Sequence, residues 1–130
     1  MIALKISVFF LLLTVITAAD PKDKPFRDCC QNKGVHAKFL DSSCTYSALY
    51  AGTKTLVDDD FLADLPAIIE CSADGKDNTE CCKGKGVSDA CLGSCNASPP
   101  VELAKFAACW KESKEQKRKV LDCSHENAYN

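Results

Sequence analysis

The chain has 130 residues, ten of them cysteine, with 16 Lys+Arg against 18 Asp+Glu and a formal net charge of −2. This near-balance leaves no electrostatic footprint for nucleic acid, and two His, one Trp and one Met supply few groups for catalysis. One small domain from an oxidising compartment fits these numbers, and a multidomain enzyme does not.

The chain opens with Lys5 as its one early charge, followed by the uncharged, mostly apolar run Ile6–Thr17. As a helix that run rises only about 18 Å, short of a bilayer core of roughly 30 Å. Thr17-Ala18-Ala19 supplies the small residues that a signal peptidase reads, and Asp20-Pro21-Lys22 turns polar at once. Residues 1–19 therefore read as a cleaved secretory signal and residues 20–130 as a single cysteine-rich domain, secreted and without a membrane span.

Every cysteine lies after that segment: Cys29, Cys30, Cys44, Cys71, Cys81, Cys82, Cys91, Cys95, Cys109 and Cys123. An even count in a short exported chain predicts a framework of five disulfides with no free thiol. Zinc is the weaker reading, because no C-x-x-C occurs and neither histidine stands at ligand spacing from a cysteine pair. Neighbouring helical residues point about 100° apart, so Cys29-Cys30 and Cys81-Cys82 should each bridge outward to different elements.

An internal repeat organises the chain. Cys29–Val35 reads CCQNKGV and Cys81–Val87 reads CCKGKGV, an agreement at five of seven positions at an offset of 52. Leu65-x-x-Ile68-x-x-Cys71 echoes Leu103-x-x-Phe106-x-x-Cys109 at an offset of 38, which places about 14 extra residues in the first copy and makes Cys71 the equivalent of Cys109. The expected fold is mainly α: a small disulfide-stapled helical domain built from two related helical units.

In chain order, Gly34 and Gly86 should end short helices in the left-handed conformation, with Val35 and Val87 folding back on the preceding turn. Residues 45–64 contain no cysteine and are expected to be the least constrained interior stretch, with Tyr46, Tyr50 and Phe61 available to a partner; a plain helix over Ser47–Lys54 is the competing reading. Asp58-Asp59-Asp60 reads as the acidic start of a helix beginning near Phe61. Asp77 and Glu80 have the spacing of a capping box for the helix carrying Cys81 and Cys82. Ser88 is the expected N-cap of a short turn ending near Cys95. Ser98, with Pro99, is the expected start of a helix whose stripe is Leu103, Phe106, Ala107 and Trp110, with Cys109 at its edge. Ser113 and Gln116 should cap a last helix ending at Cys123.

Few residues invite a chemical reading. His36 and His125 read as solvated histidines, the first in a turn and the second in a polar tail, and Ser42 and Ser43 complete no motif with them. The CC-x-x-H-D pattern of secreted phospholipases is broken, since Cys82 is followed by Lys83, Gly84 and Lys85. Asp58–Asp60 reads as a helix start in preference to a cation site, and the Asp74–Glu80 stretch lacks the ligand spacing of a calcium loop. Lys111, Lys114, Lys117, Arg118 and Lys119 interleave with Glu112 and Glu115, which predicts a salt-bridged solvent face. Asn96-Ala97-Ser98 has the form of a glycosylation acceptor, with Pro99 directly behind it. No catalytic, metal or cofactor residue is assigned.

The run Asp77-Asn78-Thr79-Glu80-Cys81-Cys82, then Gly86-Val87 and Cys91-Leu92-x-x-Cys95, resembles the DB module of nematode secreted proteins. Cys71-x-Ala73-x-Gly75-x-Asp77 is similar to that family's C-A-x-G-x-D stretch. The resemblance runs from Phe26 to Cys123 and implies a secreted cysteine-rich domain whose molecular function is unknown. Members usually carry twelve cysteines. Here Phe39 replaces one and a second is missing from Thr45–Glu70, which implies that those two positions pair in relatives. The function expected from residues and resemblance together is a non-enzymatic extracellular module that binds another, unknown protein. The alternatives are a carrier of a small apolar ligand, held among Phe39, Leu49, Phe61, Leu65, Ile68, Phe106 and Trp110, and an inhibitor or toxin-like effector.

Overall fold

The computed structural model describes residues 20–52 and 58–130. The expected secretory signal, residues 1–19, lies outside the described residues, as do residues 53–57 of the stretch expected to be least constrained. The described elements are α1 (Asp23–Asn32), α2 (Ala37–Ser43), α3 (Tyr46–Ala51), α4 (Asp59–Ser72), α5 (Thr79–Gly84), α6 (Asp89–Leu92) running into a 3-10 turn (Gly93–Cys95), α7 (Leu103–Trp110) and α8 (Lys114–Asn127). A lone antiparallel bridge, Asp77 to Asn96, is the one β-type pairing among the described residues. The mainly helical, stapled architecture is as expected.

Two turns carry the repeat. Val35 N donates to Cys30 O and Val87 N to Cys82 O, each at 3.0 Å, while Gly34 N donates to Gln31 O and Gly86 N to Lys83 O, each at 3.1 Å. These are the paired bonds of a Schellman ending, and they require φ of +81° at Gly34 and +73° at Gly86. A Cβ at either glycine would meet nothing within 4 Å. Gly34→Ala and Gly86→Ala should therefore each cost only the local backbone strain, about 1–2 kcal/mol. Urea unfolding checks this, and a neutral effect at both positions would contradict it.

The five bridges are Cys29–Cys71, Cys30–Cys44, Cys81–Cys123, Cys82–Cys95 and Cys91–Cys109. Each vicinal pair bridges outward, and none of the ten cysteines is free. The expected equivalence of Cys71 with Cys109 is wrong, because Cys71 corresponds to Cys123. The two bridges Cys29–Cys71 and Cys81–Cys123 each span 42 residues. The offset of 52 therefore runs through both units, and α4 matches α8, not α7. Backbone bonds agree: His36 N donates to Asp64 Oδ2 and Ser88 N to Gln116 Oε1, both at 2.8 Å. The L-x-x-[IF]-x-x-C likeness misled because any amphipathic helix tethered at one end shows it. There are no 14 extra residues either, since each unit inserts one helix of its own before the long one, α3 in the first and α7 in the second.

The two cores differ in material. The first gathers Phe26, Val35, Phe39, Leu40, Tyr46 and Ile68 around Cys30, Cys44 and Cys71. The second is mostly sulfur: Cys82, Cys91, Cys95, Cys109 and Cys123 with Val87. Helix α8 serves both, with Leu121 packed on the first cluster and Val120 on the second. Where the second unit has Cys91–Cys109, the first has Phe39, edge-on to Phe61 with ring centroids 5.4 Å apart. An aromatic contact thus stands in place of a bridge.

Several local expectations need correction. The capping box does not form: Asp77 Oδ1 accepts from Thr79 N (3.0 Å) and Thr79 Oγ1 (2.5 Å), so α5 starts one residue later with Asn78 at its N-cap. Ser98 does not start a helix, because its N–H and hydroxyl both turn back to Asn96 Oδ1 and Pro100 disfavours helical geometry at Pro99. Helix α7 begins at Leu103 instead. Ser88 is the N-cap of α6 by backbone position, but its hydroxyl lies 3.5 Å from Glu112 Oε1 and does not cap. Ser113 does cap α8, its Oγ accepting from Gln116 N at 3.3 Å. Helix α8 passes Cys123 and continues to Asn127, because Lys22 Nζ grips His125 O and Lys76 Nζ grips Asn127 O, each at 2.6 Å.

Residues 45–51 are not loose. Thr45 caps α3 by accepting from Ala48 N at 3.1 Å, and Tyr46 is wholly buried. Its hydroxyl donates to Ser72 O at 2.5 Å, while Tyr50 donates to Asp122 Oδ1 at 2.6 Å. Side chains pin here what cysteines pin elsewhere, and the expected partner contacts at Tyr46 and Tyr50 are intramolecular. The acidic start of α4 is as expected: Asp58 Oδ1 accepts from Phe61 N at 2.8 Å, with Asp59 and Asp60 in the first turn.

Candidate functional site

The strongest polar cluster joins α2 to α4. His36 sits at the N-cap of α2, where its N–H and its ring Nδ1 (2.6 Å) both meet Asp64 Oδ2, while Nε2 lies 3.8 Å from Asp60. Asp64 is almost fully buried and the imidazole half-exposed. Lys38 closes the group with Nζ 2.8 Å from Asp60 and 3.2 Å from Asp58. The hydrogen bond to Asp64, joined by the charges of Asp64 and Asp60, raises the His36 pKa above its ordinary 6.5. The solvated-turn reading of His36 is thus corrected to that of a paired helix cap. Ser42 Oγ points to Lys38 O (3.5 Å) and neighbours Ser43 Oγ (3.4 Å), so neither hydroxyl is placed by the imidazole.

A raised folded-state pKa means that the stabilisation is complete below about 6.5 and fades as pH climbs through the folded value. The stability difference between the native protein and His36→Gln should therefore be largest near pH 5.5 and shrink by about pH 8.5. Urea midpoints across that range check this, and a constant difference would contradict it.

His125 is not in a polar tail. It lies on α8 with its ring edge-on to Tyr46 (centroids 4.6 Å apart) and Nε2 2.7 Å from Asp20 Oδ2. The turn before α5 is built from Asp77, Asn78 and Thr79. Two donors from Thr79, its hydroxyl first and then its N–H, hold the Asp77 carboxyl below the usual range. Buried Asn78 accepts from Asn127 Nδ2 at 3.0 Å and so ties this turn to the end of α8. Half-buried Asn96 spends its Oδ1 on Ser98 N (3.0 Å) and Ser98 Oγ (2.5 Å), which folds the glycosylation acceptor into a turn. Among the described residues, no three His, Cys, Asp or Glu side chains are arranged to hold a metal ion. No described helix is long and apolar enough to cross a membrane.

Two features were missed in the sequence. The first is the facing of α7. Phe106 and Cys109 are buried, while Ala107 is exposed and Trp110 is 52 % exposed. The expected stripe ran through Trp110, but the Cys91–Cys109 bridge, with Cα atoms 4.5 Å apart, turns Cys109 inward and leaves the indole outside. The second is the lysine face. Only Lys119 finds its expected partner, Glu115, at 3.6 Å. Lys111, Lys114 and Lys117 pair with no carboxylate among the described residues, and Arg118 lies over the Tyr50 ring at 5.5 Å. The salt-bridged face is thus corrected to one largely without neutralising partners. Helix phase under a disulfide was the legible signal for Trp110; nothing in the charge spacing marked the lysines.

These elements define a small helical domain of two stapled units sharing one long helix. A family model described as the DB module matches residues 29–128, and the chain belongs to that family. No curated protein and no solved structure matches the chain. The geometry gives the D-N-T run its physical reason: Asp77 closes the turn, Thr79 supplies both donors to it, and Asn78 locks the turn to α8.

Proposed function

We propose that this DB-module protein is a secreted, non-enzymatic module that binds another protein outside the cell, with residues 1–19 as its export signal. The observation that carries the reading is Trp110, an aromatic side chain held half in solvent on a helix fixed by Cys91–Cys109. A rigid, exposed aromatic anchor is what interface centres use, and it costs little ordering on binding. Five bridges suit an oxidising, extracellular setting. His36 supports the non-enzymatic reading, since its ring faces Asp64 and Asp60 and not a nucleophile.

The carrier alternative has less support. Phe39 and Ile68 belong to one core, Phe106 lines a cleft of about 220 Å³, and Leu49, Phe61 and Leu65 line another of about 210 Å³. Both clefts fall below the ~300 Å³ at which small-molecule sites usually begin, and a larger cleft of about 390 Å³ takes only Leu49 from that set, its other walls including Lys114, Lys117 and Arg118. The test is expression of the full chain in a secreting cell, followed by affinity capture from extracellular fluid. The reading expects export of a chain beginning at Asp20 and saturable retention of a defined protein. Retention in the cell with free thiols, or recovery of apolar small molecules alone, would contradict it.

A further inference from the structure

The half-exposed Trp110 borders a cleft whose walls come from four elements. Ile69 of α4, Phe106 of α7, and Val120 and Leu121 of α8 supply apolar surface, with Ser94 from the 3-10 turn and Lys117 completing it. Ser94 is 9 % exposed, and its hydroxyl has no hydrogen-bond partner among the described residues. That hydroxyl is sealed from solvent, so the recognition surface of the cleft is the exposed indole and the apolar walls beside it.

The charged side chains that line this cleft and its neighbour are all cationic. Lys117 lines this cleft and also borders a second one, together with Lys114 and Arg118. Lys111 follows Trp110 directly in the chain. Lys111, Lys114 and Lys117 have no carboxylate partner among the described residues, in contrast to Lys105 with Glu102 and Lys119 with Glu115. Three separate ammonium groups, Lys111 just past the end of α7 and Lys114 and Lys117 in the first turn of α8, match several carboxylates in a row better than one lipid head group. A cleft of about 220 Å³ holds one large side chain and is too small for a long acyl chain.

We propose that this cleft receives one apolar side chain of an acidic segment on the extracellular partner, seated against Trp110. The flanking carboxylates lie on Lys111, Lys114 and Lys117. This deepens, and rests on, the protein-binding reading above.

Trp110 is the one tryptophan in the chain, so its emission reports on this cleft directly. The purified, oxidised protein is titrated with the acetylated peptide EELEE, with EEGEE and KKLKK, and with palmitate. EELEE should give a saturable blue shift and shield the indole from acrylamide, while EEGEE and KKLKK need roughly tenfold higher concentration or more. Added salt should weaken the response, and K114E/K117E should raise half-saturation roughly tenfold. Equal responses to EELEE and KKLKK, saturation by palmitate without EELEE, a shift driven by protein concentration alone, or no shift with any probe would each overturn the proposal. Capture of the same extracellular partner by native, Trp110→Ala and K114E/K117E proteins would overturn the cleft and leave the protein-binding reading intact. An anchor- and charge-dependent EELEE response with no partner recovered would support the cleft and overturn that reading.

Discussion

Replacing Cys29 and Cys71 together by alanine is expected to cost the fold about 4 kcal/mol, and replacing Cys81 and Cys123 at least as much. Both bridges close 42 residues of chain, so the freedom they remove from the unfolded ensemble is the same. Their surroundings are not the same. The first unit keeps Phe26, Phe39, Tyr46 and Ile68 as a conventional apolar core when its bridge is gone. The second has little but half-cystines and Val87, so losing buried Cys123 also removes packing. The Cys81/Cys123 variant should therefore be the less stable of the two, with opening confined at first to α5–α8. Against a total of about 5–15 kcal/mol for a small domain, either loss is severe. Urea unfolding with hydrogen exchange on α1 and α5 separates the cases; both variants within about 1 kcal/mol of the native protein would contradict the expectation.

The second large effect belongs to Tyr46. Its ring lies 4.8 Å from Phe26 and 4.6 Å from His125, centroid to centroid, and its hydroxyl meets the carbonyl of Ser72 in the last turn of α4. Tyr129 donates likewise to Cys71 O at 2.6 Å, which also accepts from Asp74 N at 3.3 Å, so two tyrosines add hydrogen bonds to carbonyls in the last turn of α4. Burial is the main cause that pushes both phenol pKa values up, so they stay protonated donors at neutral pH. Tyr46→Ala should cost about 3–5 kcal/mol through the cavity it leaves. Tyr46→Phe should cost about 1–3 kcal/mol by stranding the Ser72 carbonyl. A Phe variant as unstable as the Ala variant would place the energy in the hydrogen bond and contradict this division.

Part of this structure was legible in the sequence, and the divide follows range. The Gly34 and Gly86 turns were readable because φ > 0 is a local demand that few residues meet. The CC…GV repeat was readable because it is short and contiguous. The pairing of Cys71 with Cys29 was not, because the last third of the repeat keeps its offset but no sequence likeness; the equal spans of the two bridges and the shared contacts of Asp64 and Gln116 with residues 36 and 88 reveal it. Asp77 has capping-box spacing, yet Thr79 brings a hydroxyl one residue early and takes the carboxylate first. The site suffered most. Whether Trp110 packs or protrudes depends on how Cys91–Cys109 sets the phase of α7. Whether lysines pair depends on where Glu112 goes, and it goes to Ser88.

Two equivalent units, in register at an offset of 52, share one pattern of bridges. A disulfide map of the unreduced protein, obtained by partial reduction and stepwise alkylation, tests it most directly. The expected map has Cys29–Cys71 with Cys81–Cys123 as one equivalent set, Cys30–Cys44 with Cys82–Cys95 as the other, and Cys91–Cys109 alone. A bridge within either vicinal pair, or Cys109 joined to Cys81 in place of Cys123, would contradict it.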